Sequence, residues 1–203
     1  MPAIGITGGI STGKSTFCKC LREILPGAKF FDADAAAHTL VDLPEVKKEI
    51  LREFGPGMFS TEGGLKRDKV RTIVFGDATK RRALEQILHA RIRRQWMAKA
   101  ERHRNSPDFF FADIPLLYET GGERLCERVV VVACSLKVQL ARLAKRMSLK
   151  GSEAEQMINS QMAIEEKIKR ADHVVWNNGD RATPMEQAKN LVALWQGQSW
   201  TES

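Results

Sequence analysis

The residues best suited to chemistry lie near the start of the chain, in a glycine-rich segment with a lysine and hydroxyl side chains. Gly8 and Gly13 bracket four residues, and Lys14 and Ser15 follow directly, which is the pattern G-x-x-x-x-G-K-[ST] without a mismatch. Backbone N–H groups can curl around a phosphate where some positions adopt conformations open mainly to glycine. The lysine supplies a positive charge for the β- and γ-phosphates, and the hydroxyl that follows can ligate Mg²⁺. The segment therefore predicts binding of a nucleoside triphosphate.

The elements around this segment support the same interpretation. An apolar run, Ala3 to Ile6, predicts a buried strand, and a helix is expected to begin near Lys14. A helix N-terminus directs a partial positive charge at the same anion. The alternative, a glycine turn that merely joins strand to helix, is disfavoured by this context. The expected nucleotide-binding residues are Gly8, Gly9, Ser11, Thr12, Gly13, Lys14, Ser15 and Thr16.

Two further apolar runs end in aspartate, where ligands of open parallel sheets bind. One of these runs is the predicted second strand, which ends in Asp32. This position makes Asp32 the best candidate for a general base or a Mg²⁺-associated carboxylate. The alternative is that Asp32 and Asp34 cap a helix beginning at Ala35, and for Asp34 the two roles are equally open. A third strand, 109–114, carries Asp113, either a second Mg²⁺-associated carboxylate or an anchor for Lys14.

The segment after the third strand is apolar and turns at once. Pro115 forces the turn, and Leu116, Leu117 and Tyr118 offer an apolar wall for a phosphate acceptor or, equally well, ordinary core.

Arg142 and Arg146 lie one turn apart on the next predicted helix, before an interruption at Lys150 and Gly151. Permanently charged, planar guanidinium groups suit a lid that closes over phosphates, because they offer a fork of donors. A solvated helix face explains the same spacing equally well.

Composition excludes several classes of protein. No apolar run approaches the roughly 18 residues that a membrane span needs, and the four cysteines lack disulfide or zinc spacing, which favours reduced thiols in the cytoplasm. The net charge is +7, and basic residues concentrate in 80–104. That run indicates a solvated helix face or attraction of small polyanions. A nucleic-acid role is disfavoured, because aromatic residues are not interleaved with the charge.

Alternating strands and helices predict an α/β fold: a five-stranded parallel sheet flanked by helices, of the P-loop nucleoside triphosphate hydrolase type. We expect one domain over 3–197 and a frayed tail at 198–203. The core sheet is expected within 3–34, 105–147 and 171–197. A helical acceptor-binding region over about 35–104 and a lid over about 142–165 complete the predicted organisation.

Taken together, these stretches resemble the dephospho-coenzyme A kinase family over almost the whole chain. The glycine-rich loop alone is not specific, whereas the later motifs in this order are jointly specific. The stretches are Thr7-Gly8-Gly9-Ile10 with Gly13-Lys14-Ser15-Thr16, Asp32-Ala33-Asp34 with His38, Gly64-Leu65-Lys66-Arg67, Ile73-Val74-Phe75, Pro115-Leu116-Leu117-Tyr118-Glu119, Gln139, Arg142-Leu143 with Arg146, Gln161, and Ala171-Asp172-His173-Val174-Val175 with Asn177 and Gly179.

The resemblance implies transfer of the ATP γ-phosphoryl group to the 3′-hydroxyl of dephospho-coenzyme A, with Mg²⁺. Asp32 is then the base that accepts the hydroxyl proton, and it shares Mg²⁺ with Ser15. Lys14 binds the β- and γ-phosphates, and Arg142 contacts the phosphates or the adenine. Arg146 and Asn177 also bind ATP. The acceptor-binding residues implied in this way are Asp34, His38, Arg67, Leu116, Leu117 and Glu119.

This chain departs from the family pattern at two positions. Ser11 stands where the family usually has glycine, which predicts a stiffer loop, and Ala90 stands where it often has proline, which lets a helix continue. The alternatives are a kinase for another small acceptor, such as a nucleoside monophosphate, and a nucleic-acid-associated ATPase. A GTPase is disfavoured, because no Asn-Lys-x-Asp stretch occurs. We expect a cytoplasmic monomer or weak homo-oligomer that binds neither nucleic acid nor membranes.

Overall fold

A computed structural model of the protein describes residues 3–60, 62–66, 69–70, 77–147, 151–180 and 182–197. Its contacts divide the chain into two units. We call Met1–Phe31 with Lys99–Ser203 the core unit and Asp32–Ala98 the helical unit. The predicted acceptor residue Arg67 and the predicted frayed tail lie outside the described residues. The single domain over 3–197 stays a prediction.

The sheet has the order β2-β3-β1-β4-β5 and confirms the predicted five-stranded parallel architecture. Its strands are β1 (Ala3–Gly8), β2 (Lys29–Asp32), β3 (Phe110–Asp113), β4 (Arg128–Ala133) and β5 (His173–Trp176). Central β1 pairs with β3 on one side and with β4 on the other, so that Ile4 faces both Phe111 and Arg128 in register. Because β1 is central, the loop after it emerges in the middle of the sheet's carboxyl edge.

Apolar strands buried on both faces are typical of parallel sheets covered by helices. The helices are α1 (Lys14–Ile24), α2 (Ala33–Leu40), α3 (Pro44–Phe54), α4 (Ala78–His103), α5 (Leu136–Met147), α6 (Gly151–Asn159), α7 (Ile164–Lys169) and α8 (Ala182–Gln196). In the core unit, Phe17 and Leu21 of α1 pack with Trp195 of α8 against Ile4 and Phe111 of the sheet. This packing fixes the start of α1 relative to β1.

The helical unit has a small apolar core of its own. Val46 and Ile50 of α3 are buried with Met58, and Leu84 and Ile87 of α4 pack against them. Opposite charges join the same two helices, since Arg91 Nη2 lies 2.6 Å from Glu49 Oε1. Among the described residues, no helix is both long and apolar enough to span a bilayer.

Candidate functional site: a phosphate-binding loop

The loop between β1 and α1 needs glycine at its two ends. A Cβ at Gly8 would collide with the carbonyl oxygen of Val132 on β4. Gly13 has φ = 99°, in the left-handed region, and a Cβ there would collide with the side-chain amide of Asn177. Close packing at one end and backbone conformation at the other therefore exclude larger residues. Between them, Thr12 Oγ1 donates to the carbonyl oxygen of Gly9 at 2.8 Å and tightens the loop.

Ser11 is the irregular residue of this loop. Its φ is 57°, which makes it the one non-glycine residue with positive φ in the part of the chain that the structure describes. Its hydroxyl oxygen is buried and has no hydrogen-bond partner among those residues. A left-handed conformation and an unsatisfied buried hydroxyl are both unfavourable, and glycine would have neither. Ser11, for which the sequence predicts a stiffer loop, is therefore also a position of local strain.

Lys14, the first residue of α1, forms an ion pair with Asp113 at the end of β3. The other oxygen of Asp113 lies 3.4 Å from the thiol of Cys18, one turn along α1. Burial and the charge of Asp113 raise the pKa of this thiol, so it stays protonated and donates to the carboxylate. The sequence left two roles open for Asp113, and the ion pair in the structure is the one that anchors Lys14.

Arg142 and Asn177 hold the loop from the side of α5 and β5. Arg142 Nη1 donates to the carbonyl of Thr12 at 3.1 Å, and Nη2 donates to the carbonyl of Asn177 at 2.9 Å. Asn177 is buried, and its amide also donates to the carbonyl of Thr12 at 2.9 Å. On α5, Gln139 Nε2 reaches the carbonyl of Ile10 at 2.6 Å. These contacts direct the loop carbonyls into protein, which leaves its amides for an anion.

Arg146 lies one turn beyond Arg142 on α5 and is exposed. The two arginines therefore differ in environment, because the guanidinium group of Arg142 is already engaged by loop carbonyls. Their roles toward ATP stay predictions.

Lys167 on α7 was missed by sequence reasoning. Its side chain is completely buried, and Nζ lies 2.9 Å from Glu119 Oε1 and 3.0 Å from the carbonyl oxygen of Pro115. Burial lowers the pKa of this ammonium group, and the carboxylate of Glu119 partly opposes that shift. Helical spacing gave no clear signal for it, because Glu166 and Lys169 on the same short helix are exposed.

The predicted acceptor wall needs a correction. Leu117 is completely buried, and its methyl groups pack beside Gly5 of β1 and Gly122, so it belongs to the core and not to a ligand wall. Leu116 is half-buried. Glu119 is engaged by Lys167 and by the amide of Met162, at 3.0 Å. Of the two interpretations that the sequence left open for Leu117, its complete burial favours ordinary core.

In the helical unit, Asp32 is the N-cap of α2. Its Oδ1 accepts from the backbone N–H of Ala35 at 2.9 Å, and the residue is exposed. The helix therefore begins at Ala33 and not at Ala35 as expected, because Asp32 and not Asp34 provides the cap. Asp34 and His38 are exposed positions on the same helix. Capping does not occupy the whole carboxylate, so the proposed base role stays a prediction.

The sequence model of the dephospho-CoA kinase family matches residues 2–183. This chain belongs to the dephospho-CoA kinase family. Among curated members, a dephospho-CoA kinase from Symbiobacterium thermophilum is 43% identical over 182 residues, which is 88% of this chain and 75% of that protein.

Solved structures agree with membership of the dephospho-CoA kinase family. A Thermus thermophilus protein is 33% identical with a TM-score of 0.79, and the match covers 98% of each chain. The dephospho-CoA kinase from Campylobacter jejuni is 27% identical with a TM-score of 0.69, over 94% of this chain and 95% of that one. Both similarities extend over nearly the full length and thus include both units.

Proposed function

We propose that this protein is a dephospho-CoA kinase, which transfers the γ-phosphoryl group of ATP to the 3′-hydroxyl of dephospho-coenzyme A. The observation that carries the proposal is the phosphate loop itself, in which Lys14 is anchored by Asp113 and glycine is required at Gly8 and Gly13. Family membership over residues 2–183 supports the choice of acceptor.

The loop suits a triphosphate. Its carbonyls are bound by Gln139, Arg142 and Asn177, so its amides, with Lys14, are available to the β- and γ-phosphates. Ser15 and Thr16 follow in the first turn of α1, and Ser15 is exposed there. We assign adenine or phosphate contacts to Asn177, Arg142 and Arg146.

Magnesium is proposed to arrive with the nucleotide. Within the described ranges, no group of three or more His, Cys, Asp or Glu side chains could hold a metal. This agrees with the way Mg²⁺ is usually bound, through one or two protein ligands and substrate phosphates. Ser15 and Asp32 are the proposed protein ligands, and when bound the ion would neutralise charge on the phosphate oxygens.

The chain's own residues then divide the work of transfer. Asp32 accepts the proton of the attacking hydroxyl, and Lys14 with the loop amides holds the phosphoryl group while negative charge develops. Closure of the region about 142–165 excludes water, which would otherwise accept the phosphoryl group. We assign acceptor binding to four residues of the chain: Asp34, His38, Arg67 and Leu116.

The test is mass detection of coenzyme A formed from dephospho-coenzyme A and Mg-ATP, with ADP as the second product. A panel of other acceptors, nucleoside monophosphates included, separates this activity from that of a different small-molecule kinase. Hydrolysis of ATP that DNA or RNA stimulates, with no acceptor phosphorylated, would contradict the proposal. We further propose a cytoplasmic protein, monomeric or weakly self-associating, that binds no nucleic acid.

A further inference from the structure

A buried ammonium group touches the residue at which β1 enters the phosphate loop. Lys167 Nζ lies 3.4 Å from the carbonyl oxygen of Gly8, 3.0 Å from that of Pro115 and 2.9 Å from Glu119 Oε1. A lysine has three donors and no acceptor, so these three oxygens account for its hydrogen-bonding capacity. The side chain is completely buried and thus cannot touch a ligand directly.

The acceptors of Lys167 belong to two segments, the end of β1 and the turn after β3. The carbonyl of Pro115 also accepts from Thr7 Oγ1 of β1, at 2.8 Å. Glu119 Oε1 also accepts from the backbone N–H of Met162, which lies between α6 and α7. One side chain therefore joins the loop entrance, the turn after β3 and the end of the predicted lid region.

Packing alone does not require a charge at this position. A buried ammonium group is strongly desolvated, and a well-packed apolar pair is often as stable as a buried ion pair. Burial lowers the pKa of Lys167, and the nearby charge of Lys14 lowers it further. The charges of Lys14 and Lys167 repel each other, whereas both suit a loop that receives a polyanion.

We propose that Lys167 is a positioning residue of the phosphate loop, which orients the carbonyl of Gly8 so that the loop amides face the triphosphate. Through Glu119 it links the loop to Met162, and we assign Glu119 to this link and not to the acceptor. The inference rests on the proposed nucleotide-binding role of the loop.

The test measures binding of magnesium tripolyphosphate by calorimetry, together with thermal unfolding, on the full chain. Lys167→Met removes the donors and keeps a long side chain, and we expect at least tenfold weaker tripolyphosphate binding. The double variant Lys167→Met/Glu119→Gln removes both charges, so we expect it to recover the melting temperature but not the affinity. Lys169→Met is the matched control on α7, because this exposed ammonium group lies at the surface, where it pairs with Glu166 at 2.7 Å. It should bind within twofold of wild type.

Wild-type affinity in the double variant would overturn the proposal, because the pair would then serve folding alone. If Lys167→Met does not fold, the double variant decides the matter. An effect of Glu119→Gln confined to the KM for dephospho-coenzyme A would overturn the assignment of Glu119. Since tripolyphosphate binding needs no acceptor, failure of the wild-type protein to make coenzyme A would contradict only the proposed function.

Discussion

Arg142 donates from one guanidinium nitrogen to the carbonyl of Thr12, and from the other to the carbonyl of Asn177. One planar side chain on α5 thus holds the phosphate loop against the segment that follows β5. The amide of Asn177 donates to the same carbonyl of Thr12, which closes a small network of hydrogen bonds. These hydrogen bonds join protein groups alone, and a loop held by them loses less entropy on binding a nucleotide.

The first prediction concerns this fork. Arg142→Lys keeps the charge but cannot donate in two fixed directions from one plane. We expect ATP affinity to fall about tenfold, which corresponds to about 1.4 kcal/mol. Titration calorimetry measures the change, with Lys145→Met, at an exposed position of α5, as control. Unchanged ATP affinity in Arg142→Lys would show that the charge alone is sufficient.

The second prediction separates the two roles of Asp32. Asparagine caps helices about as well as aspartate, so Asp32→Asn should leave the melting temperature nearly unchanged. It cannot accept a proton, and we expect kcat to fall roughly 10²- to 10⁴-fold with ATP binding intact. Asp32→Ala should in addition lose about 1 kcal/mol of stability with the cap. A near-normal kcat in Asp32→Asn would remove this residue from the chemical step.

The third prediction concerns the strain at Ser11. Ser11→Gly removes both the left-handed serine backbone and the unsatisfied hydroxyl, while glycine adds entropy to the unfolded chain. The first two effects are larger, so we expect a gain of about 1 kcal/mol in the free energy of unfolding. Urea denaturation measures this gain. Ser160→Ala is the comparison, because the hydroxyl of Ser160 donates to the carbonyl of Met157 at 2.7 Å, so its removal should lower the free energy of unfolding. A loss of stability in Ser11→Gly would mean that the hydroxyl has a partner.

The fourth prediction is a pH dependence from His173 on β5. Its Nε2 accepts from the indole N–H of Trp195 at 3.2 Å, which requires the neutral ring. Burial, together with the charge of Arg128, lowers the pKa of His173 below its usual 6.5. The unfolded chain then binds more protons than the native one between the two pKa values. The free energy of unfolding should therefore fall as the pH drops below about 6.5.

Comparison with His173→Gln isolates this contribution. The variant lacks the titrating ring, so its free energy of unfolding should change less between pH 7.5 and pH 5.5, each of which is about one unit from the usual histidine pKa. Urea denaturation at the two pH values provides the measurement. Parallel losses in the two proteins would assign the effect to titratable groups other than His173.

The sequence was sufficient where local pattern and global fold demand the same residues. The phosphate loop and the five strands were predicted because this glycine spacing and these apolar runs are compatible with few other local structures. For Leu117 the pattern was consistent with both an acceptor wall and ordinary core, and only its complete burial in the structure favours the core. The start of α2 was misplaced because two aspartates can each cap a helix, and only the backbone decides between them.

Lys167 shows a different limit of sequence reasoning. Charged residues in a helix usually face solvent, and the neighbouring Glu166 and Lys169 do so. A buried lysine is recognised only when its partners are known, and Glu119 and Pro115 are distant in sequence. Long-range polar contacts of this kind leave no periodic signal, so they require coordinates.

The collision that any Cβ at Gly13 would make with Asn177 couples two positions that are distant in sequence. A smaller residue at 177 would free the space, but it would also remove an amide that holds the carbonyl of Thr12. Single substitutions at either position are thus unfavourable from the outset, and compensating pairs are unfavourable too, because the left-handed backbone at 13 remains. For anyone who would redesign the nucleotide preference of this enzyme, variation should therefore begin elsewhere.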